Sequence, residues 1–329
     1  MKRREFLKSG SVFLTAGTTV MKTSPVSAAP QGREFRPAPP IKMPEKQRLI
    51  DLHVHPLFAL EKTAAKPEFP PLLGNSSRAD GVAQANISWD QFRSDMKQVE
   101  KAVILHVARD DGRKGNDNIA AIARRWPEKL VPFGSVNPLY PNALEEFQRM
   151  IKELGFKGCK MSPVYQKFHA MDPSACRIYA QAQEWGVPVM FHTATAQAPD
   201  VPLRYADPIP FDDVAYAFPR LKIIMAHWGH PWQREVTMVA RKHPNVYIDI
   251  SANFYHPWAL YNALITAIEW NQTEKLFFAT DYPVATANEQ IEGLRKLNRF
   301  AQGGNPRIPD EVIEGIIHRD SLSSLGIDA

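Results

Sequence analysis

The chain has 329 residues, 44% of them hydrophobic and 23% charged, which suits one large α/β domain or two smaller ones. No apolar run approaches the roughly 20 residues that a membrane-spanning helix requires, so a membrane-embedded mature protein is excluded. The formal charge of +5 comes mostly from residues 1–29, where Lys2, Arg3, Arg4, Lys8 and Lys22 face only Glu5. The remainder is nearly neutral and gives no ground for a nucleic-acid or polyanion partner.

The first element is a leader. Lys2-Arg3-Arg4-Glu5-Phe6-Leu7-Lys8 opens it, a mildly apolar stretch runs from Ser9 to Met21, and Val26-Ser27-Ala28-Ala29 closes it. A charged start, a short apolar middle and small residues at the end describe an export signal, cleaved near Ala28 or Ala29. Arg-Arg-x-Phe-Leu-Lys also resembles the twin-arginine signal, with Lys2 where that motif usually has Ser or Thr. The resemblance implies the twin-arginine export machinery as a partner and a periplasmic mature protein. Residues 30–47, rich in proline and charge, read as an extended tether to a domain spanning 48–329.

Strand-like and helix-like segments then alternate. Apolar runs predict strands at 49–54, 101–107, 131–136, 156–161, 187–192, 221–227, 245–250 and 275–280. Helical spacing falls at 88–98, 116–126, 141–154, 173–185, 211–218, 232–242, 258–270 and 286–300. Start signals support several of these, such as Asn142 ahead of Glu145 and Glu146, and Asp172 ahead of Pro173. Eight strands in strict alternation with helices predict parallel pairing in a (β/α)8 TIM barrel of the α/β class. A doubly wound sheet would be expected to follow its first strand with a Gly-rich phosphate turn, whereas here the first strand runs into His53-Val54-His55-Pro56. The long stretch from Pro56 to about Ile87, without periodicity, should lie over the active-site face as a lid or substrate wall. Residues 308–325 read as one or two packing helices. Cys159 and Cys176 are too few for a disulfide framework or a multi-cysteine zinc cluster, and are expected to be separate thiols.

Four strand ends carry the chemistry. Asp51-Leu52-His53-Val54-His55 offers two imidazoles two residues apart, which share a face of a strand. Val189-Met190-Phe191-His192, Ile224-Met225-Ala226-His227 and Ala279-Thr280-Asp281 each end in a group able to ligate a metal. In a TIM barrel all of these strand ends meet at one face. His53, His55, His192 and Asp281 together supply three imidazoles and a carboxylate for one divalent ion, zinc first and manganese second, and leave a position for water.

Asp-x-His-x-His-Pro, Gly-Phe-Lys-Gly-x-Lys, Val-Pro-Val-x-x-His-Thr, Ala-His-x-Gly and Thr-Asp-Tyr-Pro, in that order from Ile50 to Leu325, resemble the amidohydrolase superfamily. The resemblance is to the amidohydrolase-related group that includes dicarboxylate lactone hydrolases and aminocarboxymuconate-semialdehyde decarboxylase. It implies that His53, His55, His192 and Asp281 are the metal ligands. It also implies that His227 is the acid or base beside the metal; the chemistry of a metal-activated water then places Asp281 to accept the water's proton and His227 to stabilise the developing oxyanion or protonate the leaving group. A further ligand role for His227 stays open. Lys160 stands where some members carry a carboxylated, metal-bridging lysine, but with a mononuclear ligand set it is expected to be a pocket or barrel-floor ammonium.

The implied reaction is hydrolysis of a lactone, ester or amide in a small, cyclic or carboxylated substrate. Nonoxidative decarboxylation is the second reading, and a noncatalytic periplasmic metal- or ligand-binding protein the third. Candidate substrate residues are Arg109, Tyr165, Trp228 and His230, with Arg78 in the long loop and Phe254, Tyr255 and Tyr282 as further aromatics at strand ends. His230 occupies a position where many relatives carry glycine, and either reaches into the pocket or caps the next helix. Assembly into a homo-oligomer is left open.

Overall fold

The structure is a computed structural model that describes residues 48–56, 87–196 and 201–328. The leader, the tether and most of the loop after the first strand, with Arg78, lie outside the described residues.

Eight parallel strands follow one another around a single sheet in chain order. They are β1 (Ile50–Val54), β2 (Lys101–Ile104), β3 (Leu130–Ser135), β4 (Gly158–Met161), β5 (Val189–His192), β6 (Ile223–Ala226), β7 (Val246–Asp249) and β8 (Leu276–Phe277). The ring closes between last and first: Leu52 N–H donates to Phe278 O (3.2 Å), His55 N–H donates to Tyr282 O (2.7 Å), and Val54 bridges Tyr282. This is the expected (β/α)8 barrel.

The regular part of β8 ends at Phe277, short of the expected 280. The Asp51 side chain takes over beyond it, accepting from Thr280 N–H (3.0 Å) and Thr280 Oγ1 (2.6 Å), so side-chain bonds replace ladder bonds at the seam.

The strands read as continuous apolar runs because both of their faces are covered. In β6, Ile223 and Met225 pack outward under helices, while Ile224 and Ala226 pack inside the barrel with Leu52, Leu105, Phe133, Met190 and Phe277. β1 departs from strict alternation. Its register shifts between Asp51 and Val54. Leu52 joins the interior cluster, yet the next side chain, His53, also meets inward-facing groups, Lys160 and Asp249. A local irregularity of this kind re-aims a side chain toward a site.

The helices are α1 (Trp89–Asp95), α2 (Arg113–Ala123), α3 (Ala143–Lys152), α4 (Pro163–Gln166), α5 (Pro173–Trp185), α6 (Phe211–Ala217), α7 (Gln233–Lys242), α8 (Pro257–Glu269), α9 (Ala287–Arg295), α10 (Asp310–His318) and α11 (Ser321–Ser324). In α3 the buried Ala143, Phe147 and Met150 recur at helical spacing, with Glu145 and Glu146 in the first turn and Arg149 and Lys152 in the last, matching the helix dipole. Pro173 starts α5 and Gly186, at φ +68°, ends it. A capping box formed by Thr286 and Glu289 starts α9.

The expected helix 286–300 is two pieces. α9 stops at Arg295, and a tighter turn over Leu297–Phe300 brings Phe300 against Trp258 and Tyr261 of α8. At the C-terminus Leu322, Leu325 and Ile327 join the interior cluster with Ile50, closing the end where the strands begin. Cys159 and Cys176 are free thiols. Among the described residues no helix is long and apolar enough to cross a membrane.

Candidate metal centre

At the opposite end, where the strands finish, the His-x-His pair of β1 meets the aspartate that follows β8. His53 Nε2 lies 3.2 Å from His55 Nε2, and Asp281 Oδ1 lies 3.4 Å from the first and 3.3 Å from the second. These three atoms fall within 4.8 Å of one another. Asp281 adopts φ +60°, a turn conformation that aspartate tolerates better than most residues and that aims its carboxylate back at β1. Asp51 also accepts the His53 backbone N–H (3.2 Å), so one buried carboxyl grips both ligand-bearing segments. Burial pushes that carboxyl up to about 7, against the pull of its Thr280 hydrogen bond.

Hydrogen-bond partners assign the tautomers. His53 Nδ1 is 2.9 Å from Asp249 Oδ2, and His55 Nδ1 is 3.2 Å from the Leu105 carbonyl. Both partners only accept, so both Nδ1 atoms carry hydrogen and both Nε2 atoms present lone pairs. Two imidazole lone pairs and a carboxylate oxygen thus converge on one point. Such a donor set fits a divalent cation, which turns their mutual repulsion into ligation. Burial, and then the charge of Lys160, holds the His53 imidazole well below its usual value, so the ring is neutral and ready to ligate.

Lys160, on β4, is fully buried with Nζ 3.3 Å from His53 Nε2. It reaches the centre itself and does not sit on the barrel floor. Burial lowers its ammonium to about 8, opposed by Asp249 and Asp281.

His192 does not join the three converging atoms. Its Nδ1 faces His227 Nε2 at 3.0 Å, and its Nε2 is buried with no hydrogen-bond partner among the described residues. Burial and Lys160 lower its pKa to about 3. His227 lies against His53, ring centroids 4.7 Å apart, and is likewise held well below its usual value by burial. Asp249 and Ser251, at the end of β7, went unnoticed in the sequence. Asp249 binds His53 Nδ1 and the His227 backbone N–H (3.0 Å), and Ser251 Oγ lies 2.9 Å from His227 Nδ1. A carboxylate inside the apolar run Val246-Tyr247-Ile248-Asp249-Ile250 was the available signal.

The candidate substrate residues separate. Arg109 lies over the ring of Tyr165 at 5.1 Å, and Tyr165 stands edge-on to His192 at 5.0 Å, so these two form a wall beside the histidines. Tyr255 packs on Phe254 and His256, ring centroids 5.4 and 4.6 Å away, and burial, then Asp281 and Tyr165, pushes its hydroxyl up to about 12. Trp228 turns away from the histidines. Its indole is fully buried among the helix-facing core residues and donates to Thr237 Oγ1 (3.1 Å). The left-handed backbone at His227 and Trp228, φ +58° and +49°, is what sends the two rings different ways. Tyr282 is also structural, packing on Phe92 and donating to Asp95 of α1 (2.7 Å). His230 caps no helix, since Trp232 precedes α7; it stacks on His256 at 4.8 Å and 11°.

A parallel (β/α)8 barrel with a His-x-His pair, an aspartate and two further histidines at the C-terminal strand ends defines a barrel enzyme with a metal site. The chain belongs to the amidohydrolase family, whose model matches residues 50–319.

Solved structures with the same fold include an uncharacterised TIM-barrel protein from Bordetella bronchiseptica, 22% identical, covering 85% of this chain and 99% of that one at a TM-score of 0.62. A 5-carboxyvanillate decarboxylase from Novosphingobium aromaticivorans, complexed with manganese and a nitrobenzoic acid, is 15% identical over 85% of this chain and 96% of its own (TM-score 0.59). A probable 2-pyrone-4,6-dicarboxylic acid hydrolase from Acinetobacter baumannii with citric acid bound is 13% identical over 85% and 100% (TM-score 0.60). These likenesses are of fold.

Proposed function

We propose that the protein is a metal-dependent hydrolase that opens a lactone, ester or amide bond in a small, cyclic or carboxylated molecule. The observation that carries this reading is the convergence of the His53 and His55 Nε2 lone pairs with Asp281 Oδ1. His53, His55 and Asp281 would hold the ion, with His192 as the fourth ligand. The ion, zinc by preference or manganese, would supply Lewis acidity toward a carbonyl and toward water.

The remaining work falls to the chain. Asp281 takes the proton of the attacking water and hands it to His227, which gives it to the departing oxygen of a lactone or ester or the departing nitrogen of an amide. Kept neutral by burial, His227 enters the cycle as a proton acceptor. Arg109, over Tyr165, offers a cation to a substrate carboxylate. The leader of residues 1–29 would carry the folded protein to the periplasm by the twin-arginine route, and Arg3→Lys with Arg4→Lys would leave precursor in the cytoplasm.

Nonoxidative decarboxylation is the second reading, favoured by the several decarboxylases among the fold neighbours and by the same Arg109 wall. A panel of lactones, esters and aromatic carboxylic acids, scored for acid production and for carbon dioxide, separates the two. Metal-dependent acid production without carbon dioxide is the expected result. Carbon dioxide release alone would replace hydrolysis with decarboxylation.

A further inference from the structure

Asp249 and Ser251 form a built device behind His227. Asp249 is fully buried at the end of β7, and each of its oxygens is engaged. Oδ2 accepts the His53 Nδ1 proton at 2.9 Å. Oδ1 accepts the backbone N–H groups of His227 and Ser251, each at 3.0 Å, and the Ser251 hydroxyl. A serine hydroxyl has one proton to give, and here Asp249 receives it. Ser251 Oγ can therefore meet His227 Nδ1, 2.9 Å away, only as an acceptor. The same oxygen lies 3.3 Å from His53 Nδ1, but that proton has the closer carboxylate.

The direction of every bond follows. His227 carries its hydrogen on Nδ1, and its Nε2 is a lone pair facing His192 Nδ1 at 3.0 Å. His192 Nδ1 then donates, which leaves the buried, unpartnered His192 Nε2 as the lone pair free for an ion. The His227 backbone is pinned as well, its N–H by Asp249 and its carbonyl by Asn253 Nδ2 at 2.9 Å, which holds the left-handed φ in place.

We propose that Ser251 is a positioning residue that fixes His227 in its Nδ1–H form, making Nε2 the proton-accepting nitrogen, and that Asp249 links this setting to the metal-ligand histidine His53. The proposal rests on the reading of His227 as the acid or base. Ser251→Ala removes one hydroxyl from a buried position and leaves Asp249 three N–H donors, so His53 keeps its orientation. His227 Nδ1–H then has no acceptor. The alternative Nε2–H form points a proton at the His192 donor, so the ring loses its single setting.

The test uses the full chain, loaded with zinc and labelled with nitrogen-15 at histidine, with the His227 signals assigned by their loss in His227→Gln. The wild type is expected to show His227 protonated at Nδ1 only. Ser251→Ala is expected to show mixed or Nε2-protonated His227 with metal content unchanged. On any substrate found in the panel, Ser251→Ala lowers kcat about 10- to 100-fold with little change in KM, in the range of losses for residues that orient reactive groups. An Nε2-protonated His227 in the wild type, or an unaltered tautomer in Ser251→Ala, overturns the proposal. These spectra need no substrate, so they fail or succeed apart from the hydrolase reading. Conversely, a panel without metal-dependent turnover would remove that reading and leave the tautomer result standing.

Discussion

Side chains at the centre divide into those that face the ion's position and those that hold them there. His53→Ala with His55→Ala removes two of the three converging atoms, and elemental analysis is expected to find about one divalent ion per wild-type chain and none in the double variant. His227→Gln should retain the ion while turnover falls about 10²- to 10⁴-fold, the usual size of general acid–base catalysis. Loss of the ion in His227→Gln would make His227 a ligand. His53, His55, His192, His227 and Asp281 were legible in the sequence because each ends an apolar strand and barrels gather strand ends. Trp228 and Tyr282 were misleading for the same reason: proximity to a strand end in sequence does not fix which way a ring turns, and a left-handed backbone or a partner such as Asp95 decides it. Asp249 shows in the sequence only as a carboxylate inside an apolar run and Ser251 not at all, because the importance of both lies in partners distant along the chain.

The elements were read with most success where amphipathic period and capping agreed, as in α5, whose limits at Pro173 and Trp185 are those expected. β8 and the helix beyond it were read too long, because apolar continuity does not show where a side chain such as Asp51 or a tight turn under α8 takes over the backbone. The register irregularity in β1 was invisible for a similar reason: it is set by pairing between strands, not by composition. Strand packing offers its own test. A Cβ added at Gly158, the first residue of β4, would lie 2.4 Å from ring atoms of Phe133 inside the barrel. Gly158→Ala is expected to cost about 1–3 kcal/mol through overpacking, read as a lower urea midpoint with an unchanged m-value. An unchanged midpoint would mean that the interior yields freely there.

For the whole molecule, the buried histidines make metal-free stability depend on pH. Burial holds His53, His106, His192 and His227 below the ordinary imidazole value. The unfolded chain protonates these rings below about pH 6.5 and the fold does not, so stability is lost as pH falls through that point. Asp51 works in the opposite sense. Its carboxyl, raised to about 7, keeps its proton in the fold where the unfolded chain has released it, and so adds stability from pH 7 toward 4. Four groups outweigh one, and each net imidazole contributes about 1.4 kcal/mol per pH unit once the unfolded chain is fully protonated. The melting temperature of metal-free protein should therefore be lower at pH 5 than at pH 7. An equal or higher value at pH 5 would show that the rings are charged in the fold.

The seam between β1 and β8 gives the centre one more property. Asp51 and Thr280, which stitch that seam, are 229 positions apart, and the three converging ligand atoms come from its two sides. A cation held there is a clasp on the ring, closing a loop nearly as long as the domain, the situation in which a cross-link gains most from loop-closure entropy. Only the closed ring presents the full set, so each ion bound draws the chain toward the complete barrel by mass action. A chain ending before β8 would keep the His-x-His pair and His192 but lose the Asp281 carboxylate, and with it the one ligand that carries the clasp across the seam.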